Sequence, residues 1–305
     1  MAGAAGSAGN HTGLTPAQAT GHIPAKAGEN MLPRLSLIGS GHVAKTLGRL
    51  WHDGQRVLLL DVLSRSKDNA QAACEFIGAG RPVQDYAALR QADIYLIATP
   101  DDQIAACCKL LADSGRILGG TVVFHCSGAL PASVLQPALA CGALVASVHP
   151  IRSFALPEQV AASFAGTWCG IEGDAQALAA VAPLFEAMGA QCIAIDPGAK
   201  TVYHAAAVFA SNYLVTVIDV ALQAYGQAGV PREVAMKLME PLVRKTVDQV
   251  FEAGTAAALS GPIARGDMAT VERQARALNE WNQGYGSLYD CLAQATLQLA
   301  GQRRR

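Results

Sequence analysis

From Pro33 onward, short runs of consecutive apolar residues alternate with stretches in which apolar positions recur every three or four residues. Leu35–Ile38, Arg56–Leu63, Asp93–Thr99, Thr121–Phe124 and Ala143–Val148 read as strands that are apolar along most of their length, without a polar face. Strands of that kind are covered on both sides, and helical stretches between them predict a parallel sheet. The helices lie in GSGHVAKTLGRLWHDG and KDNAQAACEFIGAG, then at about 102–111 and 131–140. Gly166–Ile171 and Gln191–Ile195 add two strands around a helix over 174–188. After Asp196-Pro197-Gly198 the strand signals stop. Helices follow at about 199–228, 231–253, 255–259, 267–282 and 285–300, punctuated by Pro231, Gly254 and Gly261-Pro262. The pattern predicts an α/β, doubly wound parallel sheet over 33–195 and an all-helical domain over 196–301. Residues 1–32, rich in Ala, Gly, Thr and His without an apolar segment, are expected to be a disordered leader, with Met31 an alternative start of translation.

One helix stands apart. The stretch 199–228 is apolar almost all the way round, as a helix with neighbours on every side would be. Its segment 205–224 has the length of a membrane span but carries Ser211, Asn212, Thr216 and Asp219, which fits a buried helix of a soluble protein better. A helical half of about 105 residues can hardly surround it, so a homodimer is expected, with part of this helix at the interface.

Composition removes several classes. With 51% hydrophobic and 15% charged residues, the chain is no disordered polymer. A net charge of −1 gives no reason to expect a nucleic-acid or membrane partner, and Arg303, Arg304 and Arg305 read as a solvated tail. The eight cysteines contain no C-x-x-C spacing and sit in apolar stretches, which reads as small buried thiols in a reducing cytoplasm, with no metal site.

Gly39-Ser40-Gly41-His42-Val43-Ala44 is G-x-G-x-x-A, placed after a strand and opening a helix. In such a turn the first Gly allows the tight bend and the second admits a pyrophosphate against the backbone. The final small residue lets the helix pack on the strand, and the helix N-terminus offers free N–H groups. The chain is therefore expected to bind a dinucleotide. Asp61 lies 20 residues after Gly41, the offset of an acid that grips a ribose diol in NAD proteins. Yet Val62 and Leu63 continue the strand, and its end is Ser64-Arg65-Ser66-Lys67. Two hydroxyls and two cations suit a 2′-phosphate, although Arg65 and Lys67 could equally be a solvated helix start. We expect NADP rather than NAD. Thr99-Pro100, at the end of a middle strand, should flank the nicotinamide-side ribose, with Asp101 or Asp102 capping the next helix.

Taken together, GSGHVA, IATPDD, HCSGAL, SVHPIRSF, AKTVYHAAAVFASNYL and GPIARGD resemble a Rossmann-like family whose C-terminal half is a domain of unknown function of the 2520 type. The likeness spans about residues 33–300, and the family is similar to the 6-phosphogluconate and β-hydroxyacid dehydrogenases, ketopantoate reductases and pyrroline-carboxylate reductases. The resemblance implies an NADP-dependent oxidoreductase with a helical dimerising domain like the C-terminal domain of 6-phosphogluconate dehydrogenase. It supplies no substrate. Prephenate dehydrogenases carry a catalytic His in an H-P motif and a Ser after the preceding strand. His149-Pro150 and Ser127 occupy similar places here, although the remainder of that pattern is absent.

Hydride transfer also requires a group that handles a proton and groups that hold the substrate. His149, at a strand end, is one candidate; a histidine bonded to a loop carbonyl is the plainer alternative. Lys200, His204 and Asn212 form a polar stripe on the apolar helix, to be explained either by a ligand or by an interface network. Related dehydrogenases place a Lys and an Asn on the corresponding helix. Arg265, in a Gly/Pro loop, could anchor a carboxylate or join an interface salt bridge, while Asp267 reads as a helix N-cap. The expected activity is reduction or formation of a small carboxylate-bearing carbonyl or imine compound, with a 2-oxo acid of ketopantoate type as first choice. Prephenate- or pyrroline-carboxylate-type chemistry is the enzymatic alternative. A redox sensor that binds NADP(H) without turnover is the other class.

Overall fold

A computed structural model describes residues 31–302. The leader, apart from its last two residues, and the terminal arginines lie outside the described residues. Eight strands, β1 (Arg34–Ile38), β2 (Leu58–Leu63), β3 (Arg81–Val83), β4 (Ile94–Ile97), β5 (Val122–His125), β6 (Leu144–Pro150), β7 (Trp168–Gly173) and β8 (Gln191–Ala194), form one sheet in the order β3-β2-β1-β4-β5-β6-β7-β8. The helices α1 (His42–Asp53), α2 (Lys67–Ile77), α3 (Asp101–Asp113), α4 (Gln136–Ala140), α5 (Pro157–Ala162) and α6 (Ala175–Glu186) cover its faces. On one face Trp51, Phe124 and Phe185 meet edge to face, and the Trp51 Nε1–H donates to the Leu184 carbonyl at 3.0 Å. On the other, Tyr95, Ile97, Leu111 and Leu135 are fully buried. The unbroken apolar strands of the sequence are the two-sided strands of this sheet.

The sheet departs from the expected pattern in two respects. β3 was not expected: it is three residues long, lies at the sheet edge and contains Pro82, which an edge tolerates. The sheet is also not wholly parallel, because β6 and β7 pair antiparallel. The chain leaving Pro150 passes through α5, which packs on α1 at the same end of the sheet. It re-enters beside β6 from the end at which it left, so β7 must run back.

Asp61 lies fully buried inside β2, where Arg81 Nε (2.9 Å), the Arg90 guanidinium (2.8 Å) and the Arg90 backbone N–H (2.7 Å) all donate to its carboxylate. Burial pushes this carboxyl up, and the bonds from Arg90 and Arg81 more than offset that, leaving it below the usual range. Its role is structural, so the NAD-type offset is coincidental.

After Ala194 only helices follow. The helix expected over 199–228 is three segments, α7 (Lys200–Val208), a π turn (Phe209–Tyr213) and α8 (Leu214–Gln227). Then come α9 (Arg232–Ala253), α10 (Thr255–Ala258), α11 (Pro262–Arg265), α12 (Met268–Trp281) and α13 (Gln283–Gln302). Asp267 caps α12, accepting from the Thr270 N–H at 3.1 Å. The expectation that the 199–228 helix is buried fails within one chain: Val202 is 74% exposed, Phe209 69% and Val215 67%. By length and composition the stretch Pro197–Gln227 could cross a membrane, although little of it is buried. Among the described residues the buried apolar side chains of the helical half are few: Leu222, Ala235 and Met239 form one cluster, and Val271 lies apart from it.

The cysteines are all free, but not uniformly buried. Cys74, Cys108 and Cys169 are buried, Cys107, Cys126 and Cys192 half-buried, and Cys141 and Cys291 exposed.

Replacing Asp61 with Ala strands two arginines beside a buried strand. It should cost about 2–3 kcal/mol in a denaturant titration, since the half-exposed arginines regain water. A loss below about 1 kcal/mol would contradict the structural role.

Candidate active site

The turn between β1 and α1 is built on two glycines with different duties. Gly39 has φ +111°, its N–H donates to the Leu63 carbonyl at 2.8 Å, and a Cβ there would overlap the Ala98 carbonyl. Gly41 has φ −74°, which any residue adopts, and a Cβ on it would meet nothing within 4 Å. Gly39 is thus required by the protein's own backbone, whereas the space beside Gly41 is empty. Ala44 is fully buried against the sheet. The α1 N-terminus has no side-chain cap, so its N–H groups are available to an anion. His42 points its Nδ1 at the Phe154 carbonyl (2.8 Å), tying this turn to the loop after β6, and Val43 packs against the core.

A groove of about 700 Å³ runs from this turn along the carboxyl ends of β1, β2 and β4. Gly39, Ser40 and Gly41 line it, as do Ser64, Arg65 and Ser66 from the β2 end and Thr99 and Pro100 from the β4 end. Ser40 Oγ and Ser64 Oγ are 3.0 Å apart, and Ser66 Oγ accepts from the Asn69 N–H, capping α2. The Arg65 side chain is exposed and enters no ion pair among the described residues. Thr99 Oγ1 is buried in the groove wall without a partner. A bare helix N-terminus, an empty side at Gly41, an unpaired guanidinium and an orphan hydroxyl suit a phosphorylated dinucleotide.

A second cluster begins one residue after Pro100, and none of its members lines that groove. Asp101 is in the first turn of α3 without a side-chain capping bond; instead it accepts from Ser127 Oγ at 2.8 Å. The same Oγ accepts from the N–H groups of Ala129 (3.2 Å) and Leu130 (3.0 Å), so the Ser127 hydroxyl is occupied in shaping its turn. Gly128 follows. A Cβ there would overlap His204 Nδ1 and lie 2.8 Å from His149 Nε2, so both imidazoles converge on this glycine. Their ring centres are 5.5 Å apart. His149 Nδ1 is 3.1 Å from the Tyr203 hydroxyl, while His204 Nδ1 is buried without a partner. Burial, with Lys200 and His204 nearby, pushes the His149 imidazole down to about 4, so it is neutral near pH 7.

Lys200 is found elsewhere than in the open site. It is 1% exposed, and its Nζ donates to Ser147 Oγ and to Glu172 Oε1 (3.3 Å). Glu172 Oε1 also accepts from the Ala132 N–H at 2.7 Å. Burial lowers the Lys200 ammonium and Glu172 partly restores it. Beside this pair, fully buried His125 accepts from the Ser127 N–H at Nδ1 (3.1 Å) and faces the Pro131 carbonyl through Nε2 (3.2 Å).

The polar stripe on the helix is therefore divided. Lys200 is an internal ion-pair member and His204 reaches the His149 cluster. Asn212 is exposed on the π turn, its side chain making no hydrogen bond among the described residues. The π turn breaks the 100° step that would align Asn212 with His204. Arg265 is exposed and lines a separate hollow of about 450 Å³ on the helical half, none of whose lining residues belongs to the sheet. Within one chain it is not brought to His149. Sequence reasoning passed over His125, Gly128, Glu172 and Tyr203. The clue to the first two lay in HCSGAL, where a polar His and Ser-Gly end an apolar strand.

Two domain families match the chain. A Rossmann-like domain matches residues 22–150, beginning inside the expected leader, and the domain of unknown function DUF2520 matches residues 167–296. The chain combines these two domains. Among solved structures, protein TM1727 from Thermotoga maritima is 26% identical, with a TM-score of 0.70, over 89% of this chain and 100% of that one. BF3122 from Bacteroides fragilis, assigned as an NADP oxidoreductase, is 20% identical, with a TM-score of 0.70, over 88% and 98%. An imine reductase from Myxococcus stipitatus in complex with NADP+ is 16% identical, with a TM-score of 0.59, over 88% and 93%. No curated protein matches the sequence. The fold is the one these solved structures share.

Burial pushes His125 down to about 4 from its ordinary 6.5, with Lys200 adding to the effect. Between those values the unfolded chain holds a proton at His125 that the folded chain refuses. Stability present above pH 6.5 is therefore lost as the pH falls toward 4, by on the order of 3 kcal/mol for this one group. Chemical denaturation from pH 7.5 to 4.5 should show this slope, and His125→Gln should reduce it by about one proton. An unchanged slope in the variant would refute the assignment.

Proposed function

We propose that this protein is an NADP-dependent oxidoreductase acting on a small carbonyl or imine compound, and that it works as a homodimer in the cytoplasm. The observation that carries the reading is the contrast at the first turn. The fold needs Gly39 for itself, but it gains nothing from Gly41 except an empty side facing the groove. Gly39 to Ala44 would hold the diphosphate against bare amides, and Thr99 the ribose nearest the reactive ring. Ser64, Arg65 and Ser66 would meet a 2′-phosphate, and the burial of Asp61 removes the acid that would favour NAD. When bound, the dinucleotide supplies or takes up the hydride.

The protein's own contribution lies at Gly128, where His149 and His204 converge. A neutral imidazole is suited to hydrogen-bond the oxygen or nitrogen of a polarised double bond. Lys200, held by Glu172, stations the helix that carries His204 rather than touching substrate. For a 2-oxo acid of ketopantoate type, the carboxylate still needs a cation. Arg265 would supply it only if a second copy carried it across the interface. The exposed apolar face of α7 and α8 supports such an interface. Asn212, on the exposed turn between them, would then belong either to that interface or to the completed site.

The non-catalytic sensor is the second reading. Enclosure of Lys200 in an internal ion pair favours it, because one polar group fewer is left to meet a substrate. A screen of 2-oxo acids and cyclic imines for NADPH consumption separates the two, since turnover of any member excludes the sensor.

Gly41→Val should fold normally and lose NADPH binding in calorimetry; retained affinity would overturn the cofactor site. Arg65→Ala should weaken NADPH by tenfold or more and leave NADH within about twofold. Equal losses would refute the choice of NADP. Sedimentation at micromolar concentration should give a dimer, and a monomer would remove the interface argument.

A further inference from the structure

Tyr203 precedes His204 on α7 and reads, in the sequence, as one more apolar residue of that helix. Its hydroxyl is 3.1 Å from His149 Nδ1, and the two rings meet edge to face at 5.6 Å. It reaches this place because β7 has glycine at position 170, where a Cβ would overlap the Tyr203 hydroxyl. Among the described residues His149 Nδ1 is the hydroxyl's one hydrogen-bond partner, so donation to it is what satisfies the phenol proton, and Nδ1 is then the unprotonated ring nitrogen. The imidazole proton is left on Nε2, the atom that faces Gly128 and His204.

We infer that Tyr203 is a positioning residue: through Nδ1 it fixes the ring and tautomer of His149, so that the Nε2–H is presented at the Gly128 cradle. Two glycines make this possible, Gly170 by admitting the phenol and Gly128 by admitting both imidazoles. A fixed N–H donor selects a substrate atom with a free lone pair. The class it favours is therefore a carbonyl or unprotonated imine, rather than an iminium ion whose nitrogen already carries hydrogen. The inference rests on the proposal that His149 meets the substrate, but its structural half can be read without any substrate.

The test is long-range proton–nitrogen NMR of the full chain labelled at histidine, with His149→Gln assigning the signals. The expected wild-type result at neutral pH is a protonated Nε2 and an unprotonated, hydrogen-bonded Nδ1 for His149. Tyr203→Phe, which removes only the hydroxyl, should abolish the hydrogen-bond shift at Nδ1 while NADPH affinity stays within twofold. Gly170→Ala, which displaces the hydroxyl but retains it, should give the same spectrum as Tyr203→Phe. A wild-type proton on Nδ1, or a Tyr203→Phe spectrum identical to wild type, overturns the inference. Should NADPH fail to bind the wild type, the cofactor proposal falls while the spectra still decide the role of Tyr203. With a substrate in hand, Tyr203→Phe should lower kcat at least tenfold at unchanged KM for NADPH, and an unchanged kcat would overturn the catalytic half.

Discussion

The Lys200–Glu172 ion pair is the constraint around which the two halves are arranged. Both side chains are almost wholly buried, and two charges out of water are tolerated only when their remaining hydrogen-bonding capacity is met. Here Ser147 receives one Lys200 proton and the Ala132 amide serves Glu172. The pair sits at the first residue of α7, so it fixes where the helical half leaves the sheet. Tyr203 and His204, three and four residues later, are thereby carried over the end of β6 to His149. A hydrophobic substitute could fill the same volume. It would not fix the position of the helix with the directional bonds that Ser147 and Glu172 provide.

Those bonds also join the region to the 127–132 loop. Glu172 holds Ala132, His125 holds Ser127 and Pro131, and Ser127 holds Asp101 at the start of α3. Five segments distant in sequence, at 101, 125–132, 147, 172 and 200, thus share one polar network that is mostly buried and runs beside Gly128. Networks of this type are costly when incomplete and rigid when satisfied.

What the sequence made legible was local. The G-x-G-x-x-A turn, the continuous apolar strands and the polar end of β2 each declare themselves within a few residues, and the turn and the β2 end line one groove at the carboxyl ends of the strands. What stayed hidden depended on contacts between distant residues. Lys200 looked like a ligand-facing cation because its partner, Glu172, is a single acid in another strand. Tyr203 went unremarked because nothing nearby announces Gly170 as the gap that receives its hydroxyl. Asn212 is turned out of line with His204 by a π turn that ideal helical rotation ignores, and a Gly/Pro loop does not reveal what Arg265 faces. The antiparallel pairing of β6 and β7 follows from the path of α5, which periodicity cannot foresee.

The two glycines of the first turn also differ in what would release them. Gly39 answers to the chain itself, since its positive φ and its approach to Ala98 persist whatever the protein does. Gly41 answers only to a guest. A descendant that abandoned its nucleotide could drift freely at position 41 while keeping position 39 unchanged. The pair therefore works as a record of use: the first residue dates the fold, and the second reports whether the groove is still employed.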